Sequence, residues 1–167
     1  GTAERILLNG EESNDGRAWA HIATGPNKGQ ARQLPRLGRL AGENAVASPR
    51  PQEKTVVIAL DDGDLSTAAT TAAPCELFVY VGTKTSTGTE IERAGLTNGK
   101  LYGVQVTVGG VPVVEEQATT ALGGASDTSP GSAGRFTLVP MGPGDGGDVS
   151  AWTTGAQLTA DSVAKGL

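Results

Sequence analysis

The chain is predicted to be all-β, and three observations carry that expectation. It holds 25 glycines and 9 prolines in 167 residues, a content that suits short strands joined by many turns. Its apolar residues come in short β-branched runs bounded by polar residues, as in Thr55–Leu60. Lys100–Val108 alternates cleanly, with Leu101, Gly103, Gln105 and Thr107 on one side and Tyr102, Val104, Val106 and Val108 on the other.

Each element has its own local reason. Glu4–Asn9 is a strand-like apolar segment stopped by Gly10, and Arg17–Thr24 alternates roughly, with Trp19 and His21 on one face. Between them Glu11–Gly16 ends in Asn-Asp-Gly, a strong turn signal. Gly25–Gly29 is another turn, and Gln30–Leu34 a short strand stopped by Pro35. In Leu37–Pro49 a strand runs through Asn44–Ala47, because Pro49 and Pro51 close it and nothing caps a helix well. Leu65–Pro74 and Thr85–Asn98 read as loops, and Glu76–Lys84 as the clearest strand, apolar and aromatic with Gly82 at its exit. After Lys100–Val108, Gly109 and Gly110 turn the chain and Val111–Glu115 returns as a hairpin partner. Gln117–Gly134, rich in Ala, Gly, Ser and Thr, is a long flexible excursion. Arg135–Met141 is the last strand, Gly142–Asp148 a flexible acidic loop or another cation loop, and Thr159 caps a short helix through Ala160–Lys165 that Gly166 stops.

Charge and composition bound the function. With 13 Lys+Arg against 18 Asp+Glu the net charge is -5, which disfavours nucleic acid as a partner and leaves cation binding open. The single cysteine, Cys75, allows no disulfide within the chain. No apolar run approaches the roughly 20 residues that span a bilayer, so no transmembrane segment is expected. Gly1–Gly10 lacks the basic start and apolar stretch of a signal peptide.

The chemistry concentrates at strand ends. Thr55–Leu60 delivers Asp61, Asp62 and Asp64 into a turn that Gly63 allows to be sharp. Such a turn is either a solvated loop or a site for a hard cation such as calcium. Strand-then-acid turns recur at Glu11–Glu12 and at Glu43. Glu11 and Glu12 also read as a solvated turn, Asp64 as a turn cap, and His21, Trp19 and Trp152 as core.

The blocks RILLNGEE, GRAWAHI, LPRLGRLAGENAVASP, VVIALDDGD, LFVYVGTK and AGLTNGKLYGVQV, in that order and spacing, resemble the PhoX-type alkaline phosphatases and their uncharacterised bacterial relatives, from about Arg5 to Val108. The resemblance implies an exported, periplasmic or extracellular β-propeller that hydrolyses small phosphate monoesters with bound metal. It places metal-binding carboxylates at Glu11, Glu12, Glu43, Asp61 and Asp62, with calcium as the ion. Of the adjacent pair Glu11 and Glu12, side-chain alternation lets one face a cavity, and Glu12 is favoured. The histidine that precedes the family's metal-binding glutamate is Gly42 here, and Cys75 does not match the family's iron-bridging cysteine, so iron is doubtful. Arg36 and Arg39 would grip phosphate, or else serve a plain surface role.

A propeller blade takes about 40–45 residues and four strands, and a closed propeller generally at least four blades. Seven to nine strands therefore make two to three blades, a partial propeller over residues 1–167 whose partner is the rest of the propeller or another chain. Three expectations follow. Glu12, Glu43 and at least one of Asp61 and Asp62 converge; the 117–134 loop is poorly packed; and Arg5–Leu8 or Arg135–Val139 pairs with strands from outside, so that the segment alone aggregates or is unfolded. Two other functions fit the sequence: a calcium-stabilised structural or surface-assembly propeller without catalysis, and a propeller esterase or lactonase.

Overall fold

The computed structural model describes residues 1–62, 77–108, 111–113 and 134–167; side chains are described for all of these except Val108 and 111–113. Among the described residues nine strands form two antiparallel sheets. The first holds β1 (Ile6–Gly10), β2 (Ala18–Ile22) and β3 (Ala31–Gln33) in chain order. The second runs β4 (Gly42–Ala47), β5 (Lys54–Asp61), β6 (Leu77–Thr83), β7 (Lys100–Val108), β8 (Val111–Val113), with β9 (Arg135–Pro140) also paired to β7. The all-β class stands, and neither sheet closes on itself among the described residues. The turn at Asp64, Cys75 and the 65–74 and 117–134 loops lie outside the described residues.

Alternation decides what each strand buries. On the second sheet Val57, Ala59, Phe78, Tyr80 and Leu101 point inward and are buried, joined by Ala20 and Ile22 from the first sheet. Leu34, Leu37 and Leu40, around the 3-10 turn Pro35–Leu37, fill the same core. Tyr80 is wholly buried because its hydroxyl is satisfied: it donates to the Gly95 carbonyl at 2.9 Å and accepts from the Gly99 N–H at 2.8 Å. Burial pushes its phenol up to about 12.

One helix was not expected, and the expected C-terminal helix starts earlier. The 85–98 segment carries a one-turn helix, α1 (Glu90–Arg93), started by a capping box in which Glu92 accepts from the Thr89 N–H and Thr89 from the Glu92 N–H. Arg32, beside it at 2.8 Å, and Thr89 hold the Glu92 carboxyl down to about 2. The C-terminal helix α2 spans Gly155–Lys165, starting at Thr154 rather than at Thr159. Its first N–H is taken by Asp15 of the β1–β2 turn at 2.8 Å, so a distant side chain supplies part of the start. Gly166 ends it in the left-handed conformation, φ 68°, as its position indicates.

The 142–148 loop is built rather than loose. Asp145 pairs with Lys165 at 3.1 Å and Asp148 with Arg36 at 2.8 Å, so two of its carboxylates are committed to cations. His21 and Trp19 stand on the outer face of the first sheet, half-buried, instead of in the core: His21 Nε2 meets Asn9 Oδ1 at 2.7 Å, and Trp19 Nε1 donates to Glu11. Trp152 does pack on the core. Arg5–Leu8 and Arg135–Val139 find partners inside the chain, in β2 and β7 respectively. No described helix is long and apolar enough to cross a membrane.

Candidate metal centre

The site forms where the two sheets come closest. β1 and β4 approach at Gly10 and Gly42, where a Cβ on Gly10 would lie 2.7 Å from the Gly42 Cα. Only glycine at both positions permits this approach, and a backbone bond seals it: Gly42 N–H donates to the Glu11 carbonyl at 3.1 Å. On the other side of β4, Asp62 N–H donates to the Ala41 carbonyl at 2.8 Å. Three chain segments are thus pinned side by side, each carrying an acidic residue.

Glu12, Glu43 and Asp62 converge there. Each offers one carboxylate oxygen, and these oxygens all lie within 4.8 Å of one another. Calcium–oxygen distances of about 2.3–2.6 Å let two ligands of one ion sit up to about 5 Å apart, so the spacing fits a single hard cation. All three side chains are exposed, and none has a Lys or Arg partner among the described residues. Together these carboxylates could hold a metal ion.

The neighbouring carboxylates do other work. Glu11 is held by the turn that follows it: its Oε2 accepts from Arg17 Nε at 2.8 Å and its Oε1 from Trp19 Nε1 at 3.1 Å. The Arg17 hydrogen bond keeps its carboxyl below the ordinary range. Asp61 turns away from Asp62, as strand alternation requires, and its Oδ1 accepts the Ala41 N–H at 2.9 Å. Burial, with a further push from the Asp62 charge, raises the Asp61 carboxyl to about 6. Asp61 therefore positions the 41–43 segment and stands outside the converging group.

Arg36 and Arg39 are engaged elsewhere. Arg36 pairs with Asp148 and donates to the Gly99 carbonyl at 3.2 Å, and Arg39 donates to the Asp15 carbonyl at 3.3 Å. Of the positions implied by the resemblance, the structure brings together Glu12, Glu43 and Asp62, and not Glu11, Asp61, Arg36 or Arg39. Sequence reading took Gly10 as a strand stop and Gly42 as a replaced histidine, and overlooked the Gly-acid step they share, Gly10 before Glu11 and Gly42 before Glu43. No family model matches the chain, and no curated protein or solved structure matches it.

Proposed function

We propose that this chain is part of a metal-dependent phosphoric monoester hydrolase of the PhoX type, holding calcium through Glu12, Glu43 and Asp62. The observation that supports the reading is the convergence of these three carboxylates from three separate segments. The family resemblance over Arg5–Val108 supplies the reaction and, with it, an exported location and the partial-propeller architecture. Bound calcium would offset the repulsion between a phosphate dianion and an attacking oxygen. The residues of this chain hold the ion; iron is not part of the proposal, since Cys75 has no place in the resemblance as an iron ligand.

A second reading is a calcium-bound structural propeller protein without catalysis. The engagement of Arg36 by Asp148 favours it, because that guanidinium is already paired with a carboxylate. Hydrolysis of p-nitrophenyl phosphate by the intact protein, with calcium and with a chelator, separates the two. Calcium-dependent turnover lost in Glu43→Gln supports the hydrolase. Calcium binding and stabilisation without turnover supports the structural protein, and a panel of carboxylic esters and lactones tests the remaining hydrolase class.

A further inference from the structure

The second sheet is apolar on both faces. Of the seven large apolar side chains left exposed among the described residues, five stand together on its outer face: Val46 (57%), Ile58 (41%), Leu60 (39%), Phe136 (66%) and Leu138 (39%). The strand register makes them one surface. Val46 lies opposite Ile58, Ile58 opposite Val79, Val79 opposite Tyr102, and Tyr102 opposite Pro140, a row that crosses five strands. Beside it Leu60 faces Leu77, Val104 faces Leu138 and Val106 faces Phe136.

The cover that this sheet does have lies on the other side. The core residues Val57, Phe78 and Leu101 point inward, Gln105 donates to the α2 carbonyl of Lys165, and Leu167 packs at Gly103. Five strands about 4.8 Å apart, with some three outward side chains each, give a flat area of about 300–500 Å². That is as large as the largest apolar patch on a typical monomer. It is below the roughly 800 Å² per partner of a standard stable interface, which places the contact among weak, reversible ones.

The ends of the face differ in charge. Lys54 and Lys100 are exposed at one end, on the strand positions that point outward, and neither has a carboxylate partner among the described residues. Asp62, beside Glu43 and Glu12, is exposed at the other end of β5. Two copies related by a twofold axis across the strands would lay each lysine end over the other copy's acidic end. An axis along the strands would set lysine on lysine. Charge therefore selects one arrangement of two identical faces.

We propose that the outer face of β4, β5, β6, β7 and β9 is a docking surface for a second copy of this chain, packed face to face with its strands antiparallel across the interface. An apolar sheet face suits sheet-on-sheet packing, which this chain already uses for its own core.

The test is sedimentation velocity of the whole chain in chelator-containing, low-salt buffer over about 1–200 µM, the span in which a weak dimer dissociates. The expected result is a reversible rise from the 16.8 kDa monomer to twice that mass. Phe136→Asp and Ile58→Lys each lower the association constant at least tenfold, as does Lys54→Glu or raised salt. Leu7→Lys, on the first sheet, leaves it unchanged. Circular dichroism and thermal unfolding verify each fold, and Phe136→Asp, on an outermost strand at the most exposed site, keeps the test valid if Ile58→Lys fails to fold. A monomer at every concentration would overturn the proposal and point to a sheet from a different polypeptide region as the occupant. A dimer indifferent to Phe136→Asp, or assembly that grows past the dimer, would overturn it as well.

Discussion

Gly10 and Gly42 meet backbone to backbone, and the acidic residues that follow them, Glu12 and Glu43, meet as a result. A side chain at either position has nowhere to go: a Cβ on Gly42 would lie 2.8 Å from the Gly10 Cα. Gly42→Ala is therefore expected to push β1 from β4, costing about 1–3 kcal/mol of stability as overpacked sites do. Calcium affinity should fall with it, because Glu43 moves off Glu12. Chemical denaturation and calcium titration of the variant check both effects. An alanine variant with unchanged affinity would mean that the acids do not depend on this contact.

Tyr80 ties the 95–99 segment to the core through two hydrogen bonds from one hydroxyl. Tyr80→Phe leaves the buried Gly95 carbonyl and Gly99 N–H without that partner. The expected loss is about 1–3 kcal/mol, the cost of unsatisfied buried polar groups. Urea denaturation measures it, and a loss below about 0.5 kcal/mol would mean that water or a shifted backbone replaces the bond.

Asp61 carries a pH signature. Its folded carboxyl titrates near 6, above the ordinary 3.8, so the fold prefers the neutral acid. A raised acid contributes its stability fully below the unfolded value and loses it as pH rises through the folded one. Calcium-free protein should thus lose stability relative to Asp61→Asn between about pH 4 and pH 7, by on the order of 1–2 kcal/mol once solvent screening is counted. Parallel stability–pH curves for the two proteins would show that Asp61 is not held in this environment.

Much of this was legible in the chain, for identifiable reasons. The β-branched runs at Lys54–Asp61 and Leu77–Thr83 and the alternation at Lys100–Val108 set strands wherever their period was unbroken. Glu12, Glu43 and Asp62 were legible as strand-end acids, yet their meeting depends on strand pairing that no local pattern carries. Which side of β7 faces the core was equally hidden. The side with Leu101 and Gly103 is buried, while the valine-rich side with Tyr102, Val104 and Val106 turns outward. The α1 capping box was present in Thr89 and Glu92, but a one-turn helix has too little periodicity to stand out. The early start of α2 had a local sign in Thr154 and Gln157, whose side chain accepts from the Thr154 N–H at 3.2 Å, while the added bond to Asp15, 140 positions away, lies beyond any window that reads local signals.

Calcium binding at the Glu12–Glu43–Asp62 cluster is measured most directly by isothermal titration calorimetry of the metal-free chain. One ion per chain should bind, with a dissociation constant of about 0.1–1 mM for an exposed site of three carboxylates. Glu43→Gln and Asp62→Asn should each weaken it at least tenfold, while Glu11→Gln, whose carboxylate belongs to Arg17 and Trp19, should leave it unchanged. Absence of binding at several millimolar calcium, or triad variants that bind as tightly as the native chain, would contradict the proposed site.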